Sequence, residues 1–357
     1  MIKFGGAKAA PPHLESYPGY GFETGRGDWL VNVMGIAYQT PPFKLSQKMM
    51  LKMLGGVMKA SESELQSETF QARVWPFFVE GDRGQKIQIE LDDQVYLLRR
   101  KSRRNGRIDN WLRLEDSTVR QAMVESADGR RTLKLLMSTT HPHSPVVECS
   151  IDLISRSGLS VISDIDDTIK ESDVTNRREL LMNTFVREFR SIQGMAELYR
   201  QWRHGGASFH YVSSSPWQLF GSLNAMRSDS GFPGGTMHLR NFRLRDQFLK
   251  KLMFRRKGKA TEITKLVKNL PDRKFILIGD SGEKDPEIYQ KIGRKYPGQI
   301  AGIFIRNLGG RPMDSERVSR LQRAAGQSQS GVFSDADELA RQAMPLIERY
   351  GRQLVAR

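Results

Sequence analysis

The chain has 357 residues, of which 56 are Lys or Arg, 40 are Asp or Glu, and one, Cys149, is Cys. That length exceeds what a single core usually serves, and 38% hydrophobic with 27% charged residues is a globular composition that excludes wholesale disorder. A lone thiol excludes an intrachain disulfide framework and a cysteine zinc ribbon, and the formal charge of +16 asks for a polyanionic partner. No stretch reaches the roughly 20 apolar residues of a membrane span. The amino-terminal MIKFGGAKAAPPH lacks the apolar run of a secretory leader, so a reducing, cytoplasmic setting is expected.

Residues 1–25, rich in Gly, Pro and Tyr, read as an irregular amino-terminal arm. From 26 to 155 short runs of β-branched and aromatic residues alternate with turn residues: WLVNVMGIAY, FQARVWPFFV, QKIQIEL, QVYLLRR, IDNWLRL, TLKLLMST and VVECSIDLI. Their spacing predicts an antiparallel β-sandwich-like domain. A helical insertion at 43–68 interrupts it. At 100° per residue, Lys44, Lys48, Lys52 and Lys59 fall in an arc of roughly 80°. Leu45, Met49, Met50, Leu51, Met53, Leu54, Val57 and Met58 fill the remainder. Such a helix fits a bilayer interface or a burial site against the β domain, and Gly55-Gly56 would weaken it.

After Arg156 the pattern changes. GLSVISD, ASFHYVS, RKFILIGD and QIAGIFIR are buried-strand runs. They alternate with helical segments at Glu179–His204, Trp217–Arg227, Ala260–Asn269 and Pro286–Tyr296. Strand and helix in alternation predict a Rossmannoid α/β domain with a parallel sheet over 156–310. Residues 311–357 read as a carboxy-terminal helical extension.

Ligands of open parallel sheets bind beyond the carboxyl ends of the strands. GLSVIS is followed there by Asp164, Asp166 and Thr168 in DIDDT, SFHYV by Ser213, and FILIG by Asp280 and then Asp285. Lys259 opens a helix between them. A carboxylate can attack phosphorus once the phosphoryl charge is neutralised. Clustered carboxylates need a cation, and a hard divalent ion with oxygen ligands, Mg²⁺, is the natural one. An acid two residues on can protonate the leaving oxygen and then deprotonate water. Each residue alone has a plainer role as turn, helix cap or solvated lysine. Four signals in order, each at a strand end or helix start, exceed what independent turns explain.

The order Asp-x-Asp-x-Thr, Ser, Lys, Gly-Asp-Ser-x-x-x-Asp resembles that of haloacid-dehalogenase-superfamily phosphatases. SDIDDTIK, FHYVSSSPWQL, FPGGTMHLR and FILIGDSGEKDPEIY are similar to the catalytic domain of the actin-patch-associated phosphatidate phosphatases, over about residues 156–310. That resemblance implies Asp164 as nucleophile, Asp166 as general acid/base, Ser213 on the phosphoryl oxygens, and Lys259 on the aspartyl-phosphate. Lys257 also precedes that helix, but Lys259 directly opens KATEI. It implies Mg²⁺ held by Asp164, the backbone carbonyl of Asp166, and Asp280, with Asp285 as an alternative ligand or just behind. The expected reaction is hydrolysis of phosphatidate to diacylglycerol and phosphate, by an enzyme peripherally associated with an anionic phospholipid surface. The same motifs would serve lysophosphatidate, a phosphoinositide or a phosphoprotein, and an idle lipid-binding adaptor is the alternative of another class.

Residues 240–259 carry nine basic groups against one acid, and RRKSRRNGR (99–107) carries six. Both read as solvated basic faces or as collectors of anionic lipid. The chain has neither an RNA-recognition aromatic consensus nor zinc-finger spacing, which counts against nucleic acid as partner. His141 and His143 read as a loop, and Trp217 and Phe220 as packing or acyl-chain contacts.

Overall fold

The computed structural model describes residues 11–41, 45–240, 258–325 and 328–351. Most of the basic run 240–259, with Lys257, lies outside them, as do 1–10. The chain divides into two compact units. One comprises residues 1–42, 79–124 and 132–152; the other comprises 43–78, 125–131 and 153–357.

In the first unit ten strands join into one connected sheet. They are β1 (His13–Tyr17), β2 (Gly19–Glu23), β3 (Asp28–Gln39), β4 (Glu80–Gly81), β5 (Ile87–Leu91), β6 (Gln94–Leu97), β7 (Arg107–Glu115), β8 (Met123–Glu125), β9 (Arg131–Thr139) and β10 (Val147–Ile154). The long β3 is the spine. One edge takes β2 at Trp29–Val31 and β1 at Met34–Tyr38, and the other takes β7 and β4, all antiparallel. Its inward residues Val31, Val33 and Ile36 are essentially inaccessible. The arm expected over 1–25 thus contributes two strands, because β3 is long enough to pair both.

The helical segment is α1 (Leu45–Met58), α2 (Glu62–Gln66) and α3 (Glu68–Val74), then a 3-10 turn at Trp75–Phe77. It groups with the second unit, not with the β domain as the sequence suggested. Gly55-Gly56 does not break α1: a Cβ at Gly55 would lie 2.7 Å from Leu65 Cδ1, so the absent side chain lets α1 approach α2. FQARVWPFFV, expected as a strand, is helical. Ser67 caps α3 by accepting the Phe70 N–H at 3.2 Å, Pro76 stands at the start of the 3-10 turn, and Phe70, Arg73, Val74 and Phe77 form the buried face at helical spacing.

The second unit's sheet consists of β11 (Gly158–Ser163), β12 (Ser208–Pro216), β13 (Thr236–Arg240), β14 (Arg273–Asp280), β15 (Ile300–Arg306) and β16 (Gln329–Phe333). All pairings are parallel, in the order β13-β12-β11-β14-β15-β16. Every residue of β11 is buried, as a strand covered on both faces requires. The fold is α/β. Besides α4 (Asp116–Ala122) in the first unit, the helices are α5 (Arg177–Phe185), α6 (Met195–His204), α7 (Phe220–Asp229), α8 (Lys259–Asn269), α9 (Asp285–Lys295), α10 (Ser315–Ala325) and α11 (Ala336–Gly351).

Two sequence expectations differ here. The helix expected over Glu179–His204 is split into α5 and α6, because Ser191 bridges back to Lys170, Ile192 N–H donates to Ile169 O, and Gly194 turns with φ +78°. The extension 311–357 also supplies β16, which closes one edge of the parallel sheet.

Opposite the carboxyl ends, Arg273 ties the strand starts together. Its guanidinium, almost inaccessible, donates to Ser160 Oγ at 2.9 Å, Ser155 O at 2.8 Å, Ser157 O at 2.5 Å, Ser208 Oγ at 3.3 Å, and Leu159 O. Burial, then repulsion from Arg203 and Arg131, brings its pKa down to about 9. Arg273→Met removes every one of these donors at once and should destabilise the unit by about 2–4 kcal/mol. Equilibrium unfolding in urea measures it; an unchanged midpoint would show that the cation is dispensable.

Candidate active site

The sheet order places β11 next to β14, and the crossovers diverge from that pair: β12 and β13 follow on one side, β15 and β16 on the other. A crevice at such a switch point is where open parallel sheets bind ligands. Asp164 leaves the end of β11 and Asp280 ends β14, so the two carboxylates converge by topology. The Asp164 N–H donates to Ile278 O at 2.8 Å, extending the pairing one residue past the strand.

Asp164 is 1% exposed. Lys259 Nζ, from the first residue of α8, donates to Asp164 Oδ1 at 2.6 Å, and Thr168 Oγ1 donates to Oδ2 at 3.3 Å. Lys259 Nζ also lies 2.5 Å from Asp285 Oδ1. Asp285, the first residue of α9, accepts from Tyr289 Oη and from the Asp280 N–H, each at 3.4 Å. Gly279 makes this approach feasible, since a Cβ there would stand 2.1 Å from Asp285 Oδ2. Burial raises the Asp164 carboxyl well above its ordinary pKa; Lys259 opposes this, while Asp285, Asp280 and Glu283 add to it. Asp280 is raised in the same way, by burial and then by Asp285 and Glu283. Burial pulls Lys259 down, but Asp164 and Asp285 outweigh it and hold the ammonium well above its usual range.

Carboxylate oxygens of Asp164, Asp280 and Asp285 lie within 4.8 Å of one another, all buried. One lysine cannot balance three ionised carboxylates. Among the described residues, Asp280 Oδ2 has no hydrogen-bond donor, although Oδ1 accepts the Glu283 N–H at 2.8 Å. An orphaned carboxylate oxygen inside an all-oxygen cluster fits a hard divalent cation.

Asp166 stands apart from that group, and its side chain is fully engaged. Oδ1 accepts from Ser172 Oγ at 2.7 Å and from Lys170 Nζ at 3.1 Å; Oδ2 accepts from Ser213 Oγ at 3.1 Å and Ser215 Oγ at 2.7 Å. Burial works against its ionisation, but Lys170, Ser172 and Ser215 prevail and bring its pKa down to about 2. The structure thus brings Asp164, Lys259, Asp280 and Asp285 together, and joins Ser213 to Asp166, two residues on from Asp164. Ser213 points at Asp166, not into open space, and accepts the Ser215 N–H at 2.9 Å.

Sequence reading gave no site role to Asp167, Lys170, Ser172 or Ser215. Asp167, with φ +52°, accepts N–H groups of Ser172 at 2.7 Å, Asp173 at 2.9 Å and Val174 at 2.6 Å, folding the loop after DIDDT back over the strand end. The visible signal was an acid, a lysine and two hydroxyls beyond what the motif needs. Further arginines brace the same loops. Arg306 Nη1 donates to Asp167 O at 3.0 Å, Arg317 Nη2 to Ser281 O at 3.1 Å, and Arg311 Nη1 to Gly282 O at 3.3 Å and Glu283 O at 3.2 Å.

Residues 159–307 match the family model described as phosphatidate phosphatase APP1, catalytic domain. An uncharacterized protein of Schizosaccharomyces pombe is 30% identical over 196 residues, which is 54% of this chain and 30% of that protein. Phosphatidate phosphatase APP1 of Saccharomyces cerevisiae is 36% identical over 158 residues, 43% of this chain and 26% of that one. The chain therefore aligns with less than a third of either relative. Among solved structures, the PilB minor pilin from Streptococcus sanguinis covers 76% of this chain and 89% of its own at a TM-score of 0.29 and 8% identity, too low to bear on the fold. Residues 159–307 are thus similar to the phosphatidate phosphatase APP1 catalytic domain.

Proposed function

We propose that the chain is a Mg²⁺-dependent phosphatidate phosphatase of haloacid-dehalogenase type, joined to a sandwich-like β domain, that works peripherally at a cytoplasmic membrane surface. The observation that supports it most is the buried trio Asp164, Asp280 and Asp285 around Lys259, at the switch point of a sheet whose sequence matches that catalytic family. Asp164 attacks the phosphorus, and the bond to the glyceryl oxygen breaks. Asp166 delivers a proton to that oxygen, then takes one from the water that opens the aspartyl-phosphate. Lys259, already on Asp164 Oδ1, holds charge that develops on the transferred group. Asp164, Asp280, the Asp166 carbonyl and, directly or one layer behind, Asp285 would hold Mg²⁺, which would supply compensating charge for the phosphoryl oxygens.

The low pKa of Asp166 bears directly on its acid role. Ser213 and Ser215 are hydroxyls that can turn to phosphoryl oxygens when substrate arrives. Their departure removes two of the donors that keep Asp166 ionised, and its proton affinity rises as the leaving group needs protonation. The acid is thereby loaded by the substrate itself.

Asp164→Asn should fold normally and release phosphate from phosphatidate in mixed micelles about 10⁴-fold more slowly or worse. Activity within a few-fold of the parent would exclude covalent attack by Asp164.

The raised carboxyls give a second test. An acid whose folded pKa lies above its unfolded value stabilises the fold below the unfolded pKa and loses that contribution as pH rises through the folded one. Metal-free protein should therefore lose stability from Asp164 and Asp280 as pH rises above the ordinary carboxylate range. Mg²⁺ should restore it. Asp280→Asn should melt a few degrees higher than the parent without metal, about 2–4 °C for each kcal/mol, and gain little from Mg²⁺. Melting curves across pH, with Mg²⁺ and with chelator, decide this; a parent insensitive to Mg²⁺ would remove the cation from the proposal.

A further inference from the structure

The segment 43–78 lies outside the matched catalytic residues, yet it is built into the catalytic unit. Arg178 Nε, at the start of α5, donates to Met58 O at 2.8 Å, and Phe77 meets Phe185 edge-on at 5.7 Å between ring centroids. Arg73 Nη1 donates to Arg187 O at 2.5 Å, and its guanidinium sits 3.6 Å over the Phe189 ring. Lys170, the partner of Asp166, lies 4.8 Å from the centroid of that same ring. The turn Trp75–Phe77 lies against Trp217–Leu219, which directly follow the serines on Asp166. The segment is thus seated on α5, on residues 187–189 and on the 3-10 turn that follows the serines bound to Asp166.

What it shows to solvent is unusual. In α1, Gln47, Met50, Leu54 and Met58 face inward. The opposite face exposes Lys48, Met49, Lys52, Met53 and Gly56, with Lys59 just beyond the helix end. Met49 is 66% exposed, Met53 48% and Trp75 46%. Among the described residues of this unit, these three and Met344 are the exposed large apolar side chains. No acid occurs in α1 to neutralise its lysines.

We propose that this face, with Trp75, is where the catalytic unit docks on an anionic lipid bilayer, an occupant that follows from reading phosphatidate as the substrate. Methionine and tryptophan interleaved with lysine match an interface that offers acyl chains a few ångströms below phosphate groups. A second copy of the chain would press lysine against lysine. An acidic protein surface would satisfy the lysines and leave the apolar side chains unmatched. A bilayer meets both demands, and it presents the phosphate of its own lipid beside the catalytic loops.

The test uses the full chain and two variants, Met49→Ser/Met53→Ser/Trp75→Ser and Lys48→Glu/Lys52→Glu, the second confined to exposed side chains that no core packing needs. Vesicles of phosphatidylcholine with phosphatidylserine should bind the triple variant about tenfold more weakly and the charge-reversed one about 30-fold more weakly. Phosphate release from phosphatidate in those vesicles should fall in parallel, while turnover of p-nitrophenyl phosphate in solution stays at the parent level. Parent-like vesicle binding by both variants would overturn the proposal, as would equal losses on the soluble and vesicle substrates. A concentration-dependent dimer of the parent that both variants abolish, without any vesicle binding, would overturn it in favour of a second copy. A parent that binds vesicles through these residues yet releases no phosphate from micellar phosphatidate would leave the docking face standing and remove the substrate reading instead.

Discussion

Three carboxylates and one ammonium, all buried at the end of two adjacent strands, impose the constraint from which the rest of the catalytic unit follows. Removing a carboxylate from water is costly unless its charge is matched, and here Lys259 pairs with Asp164 and Asp285 while Asp280 lies in the same cluster. Burial, and then the negative charge of the neighbouring carboxylates, raises the proton affinity of Asp164 and Asp280. Such a site is poised to take up compensating positive charge, either protons or a hard cation.

Asp166 shows the opposite arrangement two residues away. It is buried too, yet Lys170 and the hydroxyls of Ser172 and Ser215 keep it ionised, with a pKa of about 2. Two neighbouring carboxylates are pushed in opposite directions by their surroundings, the division of labour that the proposed nucleophile and proton-exchanging group would use. The asymmetry is built by the loop after DIDDT. Asp167 folds that loop by accepting three backbone N–H groups, and in doing so it brings Lys170 and Ser172 back onto Asp166.

Much of this was legible in the sequence. The strands of the parallel sheet are continuous apolar runs that end in Asp or Ser, so the carboxyl-end residues Asp164, Asp166, Ser213 and Asp280 could be placed before any coordinate. Lys259 is placed because it opens a helix, and Asp285 because it follows Asp280 beyond the same strand. What escaped depends on tertiary return: Lys170, Ser172 and Ser215 sit in no periodic element, and their target is reached only when the loop doubles back. The segment FQARVWPFFV was misread because apolar residues suited both periods, and the cap Ser67 and Pro76, which decide for helix, were given less weight than β propensity. Residues 43–68 were grouped with their sequence neighbours. An insertion in one domain that packs on another leaves no mark in local composition.

The same point bears on where the catalytic unit ends. Ser281, Gly282 and Glu283, between the two acids Asp280 and Asp285, offer backbone carbonyls with no strand to receive them. Arg317 and Arg311 take these carbonyls, and Arg311 and Arg317 also approach Glu287 of α9 at 3.6 and 3.7 Å. Leu308 N–H donates to Ser281 Oγ at 2.8 Å from the same side. A carboxylate cluster needs its oxygens held within fractions of an ångström, and a glycine-containing loop does not provide that by itself. The bracing comes from residues after 307, beyond the matched segment, just as the packing on α5 and Phe189 comes from residues before 159. The matched segment therefore sits within a larger unit, whose flanking segments hold the loop between Asp280 and Asp285 and pack on α5.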